Sequence, residues 1–486
     1  MSIQTEPSSL RTLATHSVRW NGASILTLTV LQLFQTIFLA RLLSPEQFGL
    51  IGLVLIAAGF AQSISDFGLG NAIIFKQTSD QKQLSSIYWA NVFGGVSVFF
   101  ITISLTPILA RFYQENTLRL LIPAASITFL ISPFGLPMMS ILQRDLKFKK
   151  IFFCETTSSI LGAVTAIFFA WKLKNAFAII WGQLATTIIR TVFLVIFSQW
   201  KPSIHFKLED LRTHFSFSMY QTGQKLINFL VQNLDKILIG KLLGTNALGF
   251  YTMAYQLMSR PILLLNPIIT RVAFPVFSRM HGNIPRIKLA YLGMIQYIAF
   301  VMMPLYLCMY VTSESIIQTF LGNSWISINV VFKILLILGL IQSLGNPLDS
   351  LLLALGKAKI SFWFNVYALI LYAIAIPIGA QFGLNGVALG LLIVCGCILV
   401  PSDLWLRWVT SKMTPGEYAN AWFPFFIIGL IVAIFLFVLT SMLQMLPPYF
   451  LLIIQVCAGI VFYLGIAFIW DRKFIIRISK LLTEQI

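Results

Sequence analysis

The sequence is poor in charged residues for its length. Only 10% of its 486 residues are charged and 58% are hydrophobic, whereas soluble domains carry about 25% charged residues. No soluble architecture buries so much apolar surface, so a soluble enzyme, a nucleic-acid-binding protein and a disordered scaffold are excluded. At about 20 residues per span, the chain has room for about a dozen or more membrane-spanning helices.

Motifs for built-in catalysis are also missing. The sequence contains neither a GxxxxGK[ST] phosphate-binding loop nor an HExxH zinc motif. Its four histidines lie outside the apolar runs, and its five cysteines lie inside them, a placement typical of packing residues rather than disulfides or metal ligands. We therefore expect no ATPase, no other enzyme and no metal centre.

Apolar windows of about 19 residues predict an all-α polytopic membrane protein with about 14 transmembrane helices. The predicted connections are short, at most about 17 residues, so no domain is expected outside the membrane. The predicted spans cover 20–43, 47–69, 84–106, 118–138, 152–171, 176–198, 215–240, 247–270, 287–311, 327–350, 361–382, 384–406, 421–443 and 449–470.

The basic excess follows the predicted topology. The chain has 34 Lys and Arg against 16 Asp and Glu, a net charge of +18. With the amino terminus inside, 23 of the 34 fall in cytoplasmic segments, Arg407 among them, and seven fall outside. This asymmetry follows the positive-inside rule and predicts that both termini are cytoplasmic. The net charge therefore predicts no nucleic-acid partner.

The chain resembles itself at an offset of 200 residues. The segment 32–50, QLFQTIFLARLLSPEQFGL, aligns without gaps with 232–250, QNLDKILIGKLLGTNALGF, and pairs Gly49 with Gly249. A basic loop at 142–150 is matched more weakly by one at 353–362. Six spans separate the copies, so both halves have the same orientation, and the substrate path is expected between them. The predicted organisation is an N-lobe at 1–212, a C-lobe at 213–410, and a C-terminal helix pair with a tail at 411–486.

Span 7 carries a polar stripe. Gln221, Lys225, Asn228, Gln232 and Asp235 recur at spacings of three and four, which places them on one helical face. A charge near the centre of a span costs about 2.5–3.5 kcal/mol, so the stripe is expected to face water or a ligand. The aligned span 1 carries a milder polar face with Gln32 and Gln35.

Other charges lie within spans. Arg260 falls near the centre of span 8, Arg190 near the middle of span 6, and Asp66 at the inner end of span 2. Asp403, at the end of span 12, is expected at the membrane interface. For the charges inside spans, the alternative to a ligand is an interhelical ion pair. Cationic walls suit an anionic ligand, because Arg and Lys pair with phosphate oxygens.

Three segments resemble one family. The segment 39–77, which begins LARLLSPEQFGL, resembles the opening of the polysaccharide transporters of the multidrug/oligosaccharidyl-lipid/polysaccharide (MOP) exporter superfamily. The segments 232–261 and 271–280 resemble the corresponding parts of the second lobe. The resemblance implies a V-shaped bundle of two six-helix lobes around a central cavity, working by alternating access. It also implies a flippase for undecaprenyl-diphosphate-linked oligosaccharides in the bacterial cytoplasmic (inner) membrane, serving surface polysaccharide biosynthesis.

By this resemblance, the polar residues acquire roles. Lys225 and Arg260, with Arg190 as a secondary candidate, are expected to hold the diphosphate. The other predicted cavity residues are Asn228, Gln232, Gln32 and Gln35, and the candidates for coupling to Na⁺ or H⁺ are Asp66 and Asp235. No further cofactor is expected. The implied partners are the lipid-linked glycan, membrane lipids, and a polysaccharide polymerase with its chain-length machinery.

Three alternatives remain open from the sequence. A lipid II flippase would share the mechanism and differ only in the headgroup. A drug or metabolite-cation antiporter of the same superfamily would need deep carboxylates, and few are present. A membrane polymerase or ligase would need a sizeable outer loop, and no predicted outer loop exceeds about 15 residues.

Overall fold

The structure, a computed structural model, describes residues 7–65, 80–207, 226, 228–280, 283–345, 347–443 and 445–470. Every regular element in these segments is helical, which confirms the all-α fold class. Eleven of the described helices are long and apolar enough to cross a membrane, or twelve if the pair Leu118–Phe134 and Leu136–Arg144, bent by 42°, is one span. The chain is therefore a multi-pass membrane protein, and the count of 14 spans stays a prediction.

The chain divides into two compact units, Met1–Gly249 and Phe250–Ile486. The predicted lobe limits stay a prediction. The helices that lie in the first unit are α1 (Pro7–Leu42), α2 (Pro45–Ser65), α3 (Gln81–Tyr113), α4 (Leu118–Ser126), α5 (Thr128–Ile131), α6 (Leu136–Arg144), α7 (Phe148–Leu173), α8 (Phe177–Ser198) and α9 (228–242).

The helix α10 (Gly244–Arg279) begins in the first unit and continues into the second. Two short π-helical stretches, Ile317–Leu321 and Val394–Leu399, interrupt the second unit's helical segments. The remaining helices of the second unit are α11 (Ile284–Val311), α12 (Ser313–Ile316), α13 (Asn329–Gly345), α14 (Pro347–Ala354), α15 (Ala358–Ala380), α16 (Gly383–Ile393), α17 (Val400–Ser411), α18 (Pro415–Met442) and α19 (Pro448–Trp470).

Left-handed turns recur in the two units at a nearly constant separation of 208 to 213 positions. Each such turn follows a helix and ends it, a common role of the left-handed conformation. The pairs are Gln114 and Gly322, Leu146 and Gly356, Lys174 and Gly383, and Gln199 and Lys412. Because the pairs occur in the same order in each unit, they support the duplication that the sequence predicts.

The turns at Leu146 and Gly356 match in their hydrogen bonds. In both turns, the residue after the left-handed position donates a hydrogen bond from its backbone N–H to the carbonyl of the residue five positions before it. These bonds join Lys147 to Leu142 at 2.9 Å and Lys357 to Leu352 at 2.8 Å. The shared register makes Lys149 in the first unit equivalent to Lys359 in the second.

Gly49 and Gly249, which the sequence repeat aligns, are in direct backbone contact within the first unit. A Cβ atom at Gly49 would lie 1.7 Å from the carbonyl oxygen of Thr245, and one at Gly249 would lie 1.8 Å from that of Pro45. Thr245 and Pro45 also correspond in the repeat, so the contact is reciprocal. The first turns of α2 and α10 therefore approach more closely than any side chain at the crossing would permit.

The helices expose rows of large apolar side chains. On α1, Leu26, Val30, Phe34 and Phe38 are each 50 to 60% exposed, and their spacing of four places them on one face. A soluble surface rarely presents such a continuous apolar row, whereas lipid covers it without penalty. We call each such row the membrane-facing row of its helix.

Candidate functional site

Helix α1 carries polar side chains away from its membrane-facing row. Gln32 is exposed, and at about 100° per residue it lies on the opposite side of the helix from that row. Gln35 is half-buried and Ser24 is buried. Gln32 is therefore positioned to contact water or a ligand rather than lipid.

An ion pair joins α7 to α8 in the first unit. Arg190 Nη2 lies 3.6 Å from Glu155 Oε1, and the other carboxylate oxygen of Glu155 accepts a hydrogen bond from Ser24 on α1 at 3.2 Å. The Arg190 side chain is 41% exposed and that of Glu155 is 23% exposed. The distance exceeds that of a short charge-assisted hydrogen bond, and Arg190 Nε is buried without an acceptor.

Both members of this pair point away from the lipid. At about 100° per residue, Glu155 and Arg190 each lie on the side of the helix opposite its membrane-facing row. These rows comprise Phe153, Ile160, Val164, Phe168 and Trp171 on α7, and Trp181, Ile188, Val192 and Val195 on α8. An exposed guanidinium on such a face borders a polar space inside the membrane rather than hydrocarbon.

Part of the predicted polar stripe lies on α9. Asn228 and Gln232 are exposed and Asp235 is half-buried. Leu230 and Ile237 lie on the other side of the helix, where they line an apolar cavity of about 390 Å³ together with side chains of α2, α3 and α4. The stripe is thus on the face of α9 that does not pack against these helices. Lys225 and Asp66 lie outside the described residues.

Arg260 lies near the middle of the 36-residue helix α10, and the helix continues through Pro261. The buried face of α10 includes Ala254 and Met258, and the Met258 side chain packs against Gly339 of α13. Arg260 is half-buried on the opposite side of the helix. Its guanidinium therefore belongs to the face of α10 that turns away from α13.

A family model described as "Polysaccharide biosynthesis protein" matches residues 38–330, which is more than half of the 486-residue chain. The chain belongs to this family. This membership agrees with the polysaccharide transporters that the sequence resembles. The resemblance seen in the sequence is thereby confirmed.

Individual relatives agree with this assignment. The lipopolysaccharide biosynthesis protein WzxC of Escherichia coli K12 is 31% identical over 389 residues, 79% of either chain. The teichuronic acid biosynthesis protein TuaB of Bacillus subtilis 168 is 31% identical over 367 residues, 75% of this chain and 76% of its own. The structure of the lipid II flippase MurJ in an inward closed conformation superposes with a TM-score of 0.72 at 16% identity, covering 94% of this chain and 100% of MurJ. That likeness shows a shared fold.

Glu155 is a polar residue of the site that the sequence analysis did not predict. It stands in FFCETTSS, inside the predicted fifth span, and it is the only carboxylate of that span. A single carboxylate within an apolar span was the feature of the sequence that could have identified Glu155 as a functional candidate. For Arg190, the structure shows the interhelical ion pair that the sequence left open as the alternative, and its exposure leaves it accessible to a ligand.

The second unit buries a charge pair that the sequence did not predict. The sequence assigned Arg407 to a cytoplasmic segment and Asp403 to the membrane interface, and it did not predict that the two side chains are buried as a pair. The Arg407 side chain is 1% exposed, and its Nη2 lies 2.6 Å from Asp403 Oδ2. The guanidinium carbon lies 4.0 Å from the centre of the Tyr418 ring, and Nη2 donates to the Leu344 carbonyl at 3.4 Å. The aromatic ring and the carbonyl allow the charge to be buried inside the helix bundle.

Loss of one partner in this buried pair should destabilise the protein. Arg407→Met would leave Asp403 buried without its counter-charge, which costs about 3–5 kcal/mol of the free energy of unfolding. Denaturant unfolding of the purified protein in detergent measures this loss. The control is Lys288→Met, because Lys288 pairs with the more exposed Glu417 at 2.6 Å and exposed pairs contribute little. Equal stability of the two variants would contradict the structural role of Arg407.

Proposed function

We propose that this protein is a flippase that moves undecaprenyl-diphosphate-linked oligosaccharides across the bacterial cytoplasmic membrane by alternating access. The glycolipid would supply the biosynthesis of a surface polysaccharide such as an O-antigen, a capsule or an exopolysaccharide. The observation that carries the proposal is the placement of Arg190 and Arg260. Arg190 lies within the span of α8, opposite its membrane-facing row, and Arg260 lies near the middle of α10, opposite the face that packs on α13.

The chemistry of the substrate fits this placement. The names of WzxC and TuaB refer to lipopolysaccharide and teichuronic acid, two different surface polymers. We therefore assign the cationic residues to the diphosphate of the lipid carrier, the part that such substrates would share. Guanidinium groups bind phosphate through two parallel hydrogen bonds, and in this proposal the prenyl chain stays in the bilayer.

The proposed roles follow the positions of the residues. Arg260 and Lys225 are proposed to pair with the diphosphate, and Arg190 is proposed as a secondary phosphate ligand. Gln32, Gln35, Asn228 and Gln232 donate and accept hydrogen bonds along the polar space. Asp66 and Asp235 are proposed to couple transport to Na⁺ or H⁺.

The proposed setting completes this assignment. The protein lies in the bacterial inner membrane with both termini in the cytoplasm, as the distribution of Lys and Arg predicts. The proposed division of the chain remains an N-lobe at 1–212, a C-lobe at 213–410 and a C-terminal helix pair at 411–486. A polysaccharide polymerase and its chain-length machinery would act on the exported glycolipid.

Two other transport functions compete with this one. The fold shared with MurJ permits a lipid II flippase, but the relatives at 31% identity carry names from surface polysaccharide biosynthesis. A drug or cation antiporter would be served by deep carboxylates without cationic partners. Two of the described carboxylates within helices, Glu155 and Asp403, each face an arginine instead.

Deletion of the gene tests the function. We expect the strain to lose its surface polysaccharide and to accumulate an intact undecaprenyl-linked oligosaccharide, measured by mass spectrometry of extracted lipids. Accumulation of lipid II instead would indicate the peptidoglycan function. Unchanged lipid-linked glycans, together with increased sensitivity to a cationic drug, would indicate the antiporter. The strain must lack a second flippase of the same specificity.

The pair of Glu155 and Arg190 offers a test of the site. If Arg190 binds the diphosphate, Arg190→Gln should lower export about tenfold or more, the effect of losing a hydrogen bond between charged groups. Export is measured as surface polysaccharide per folded transporter. The variant Glu155→Gln should retain export, because it removes a competitor of the ligand for Arg190.

The double variant separates binding from structure. Glu155→Gln with Arg190→Gln removes both charges and leaves no buried ion unpaired. A binding role predicts that export stays as low as with Arg190→Gln alone. Recovery of export to the wild-type level in the double variant would show that Arg190 only balances Glu155.

A further inference from the structure

A groove of about 700 Å³ runs between α15 and α17 in the second unit. Its walls include the aromatic side chains of Trp363, Tyr367 and Trp405, and Lys359 lies at one end. The aromatic side chains are 41 to 59% exposed. The groove is therefore an open, largely aromatic surface with a single cation among its lining residues.

The groove lies on the lipid side of both helices. On α15, Trp363, Tyr367, Ile370, Ile374 and Ile378 recur at spacings of three and four, and each is more than 40% exposed. Lys359 stands one turn before Trp363 on the same face. This row thus has an ammonium group at its end.

The face of α17 agrees with this orientation. Trp405, Trp408 and Val409 are exposed at 59, 49 and 42%, whereas Asp403 and Arg407 lie across the helix and pair with each other. The groove is consequently separated by the body of α17 from the buried charges of the second unit. A ligand in the groove would contact the protein from the bilayer.

In the described part of the chain, Lys359 has neither a hydrogen-bond acceptor nor a carboxylate as a partner. Asp349, which lies near this end of the helices, accepts a hydrogen bond from Ser361 at 2.6 Å. Asp403 is paired with Arg407. The charge of Lys359 is thus left for a ligand.

The equivalent turn of the first unit is different. Lys149 lies with its Nζ 5.8 Å from the centre of the Trp20 ring, and Lys147 pairs with Asp145 at 2.9 Å. Burial raises the pKa of Asp145, but hydrogen bonds from Lys147 and Arg144 hold it below its usual value, so the carboxylate stays ionised. The basic side chains of this turn have partners within the protein.

We propose that the groove between α15 and α17 binds an anionic glycerophospholipid, with its phosphate on Lys359 and an acyl chain along Trp363, Tyr367 and Trp405. Basic pockets between transmembrane helices bind anionic headgroups, and Trp and Tyr favour the level of the headgroups. In the proposed orientation this is the cytoplasmic leaflet. A resident phospholipid fits the lipid-facing position of the groove better than the transported glycolipid does.

Native mass spectrometry of the delipidated full-length protein tests the proposal. Phosphatidylglycerol and phosphatidylcholine of the same acyl chains are titrated in turn. We expect the wild type to retain one phosphatidylglycerol with a preference of about fivefold, the contribution of one basic residue near an anionic lipid. Lys359→Gln should abolish this preference. Lys149→Gln removes the equivalent charge of the first unit and should leave the preference intact.

A second variant keeps the proposal testable if Lys359→Gln fails to fold. Trp405→Leu keeps the charge and shortens the aromatic wall, and it should weaken retention of both lipids. Three results would overturn the proposal. They are no headgroup preference in the wild type, equal losses in Lys359→Gln and Lys149→Gln, and displacement of phosphatidylglycerol by equimolar undecaprenyl phosphate, which would assign the groove to the carrier lipid.

Discussion

Replacement of Arg260 by alanine is expected to abolish export while the protein still folds and inserts. Arg260 is half-buried near the middle of α10, on the side of the helix opposite Met258 and its contact with Gly339. In the proposed mechanism its guanidinium makes two charge-assisted hydrogen bonds to the diphosphate. Their loss should lower the rate at limiting substrate by about a hundredfold or more.

The conservative variant refines this expectation. Arg260→Lys keeps the charge but loses the planar pair of donors, so export should fall about tenfold. Lys225→Ala should resemble Arg260→Ala. The control is Arg286→Ala, an exposed arginine near the start of α11, which should export normally. Each variant is scored by surface polysaccharide against the amount of folded protein in the membrane. Wild-type export by Arg260→Ala and Lys225→Ala would remove both residues from the proposed site.

Replacement of Gly49 or Gly249 by alanine is also expected to impair transport strongly. Gly49→Ala would place a Cβ 1.7 Å from the Thr245 carbonyl oxygen, and Gly249→Ala would place one 1.8 Å from that of Pro45. Backbone cannot yield as a flexible side chain can, so the first turns of α2 and α10 must separate. Overpacking costs about 1–3 kcal/mol, which shifts the equilibrium against the state containing this crossing by about 5- to 150-fold.

The effect should be specific to the crossing. Because both glycines belong to one contact, the double variant should be little worse than either single variant. Gly293→Ala is the matched control, since an added Cβ there meets nothing within 4 Å. Export and the accessibility of an introduced cysteine beside the crossing are the measurements. Normal export with unchanged accessibility in Gly49→Ala would show that the crossing does not need a glycine.

The all-α, multi-pass character of the chain could be predicted from the sequence because membrane helices need long apolar windows. The duplicated segments also predicted a structural relationship, and Gly49 and Gly249 occupy equivalent places in one reciprocal contact. What the alignment could not show is that the aligned glycines touch each other. Contact between equivalent residues depends on how α2 and α10 cross, which apolar periodicity does not encode.

Charge pairing was harder to predict for a physical reason. Glu155 and Arg190 lie on different helices, and no local spacing links them. Asp403 and Arg407 are four residues apart on one helix, so that pair could have been inferred from spacing. It was missed because basic residues at the ends of spans were counted as loop charges. Treating these residues as loop charges is valid for predicting the membrane topology, but it does not show which charged side chains are buried.

The leaflet occupied by the lipid-linked oligosaccharide is the most direct test of the flippase. In spheroplasts of a strain without the gene, we expect the glycolipid to be protected from a membrane-impermeant glycosidase. Restoring the gene should make it accessible, and the Arg260→Ala variant should leave it protected. Equal accessibility with and without the gene, in a strain shown to make the glycolipid and to lack another flippase, would contradict the proposed transport.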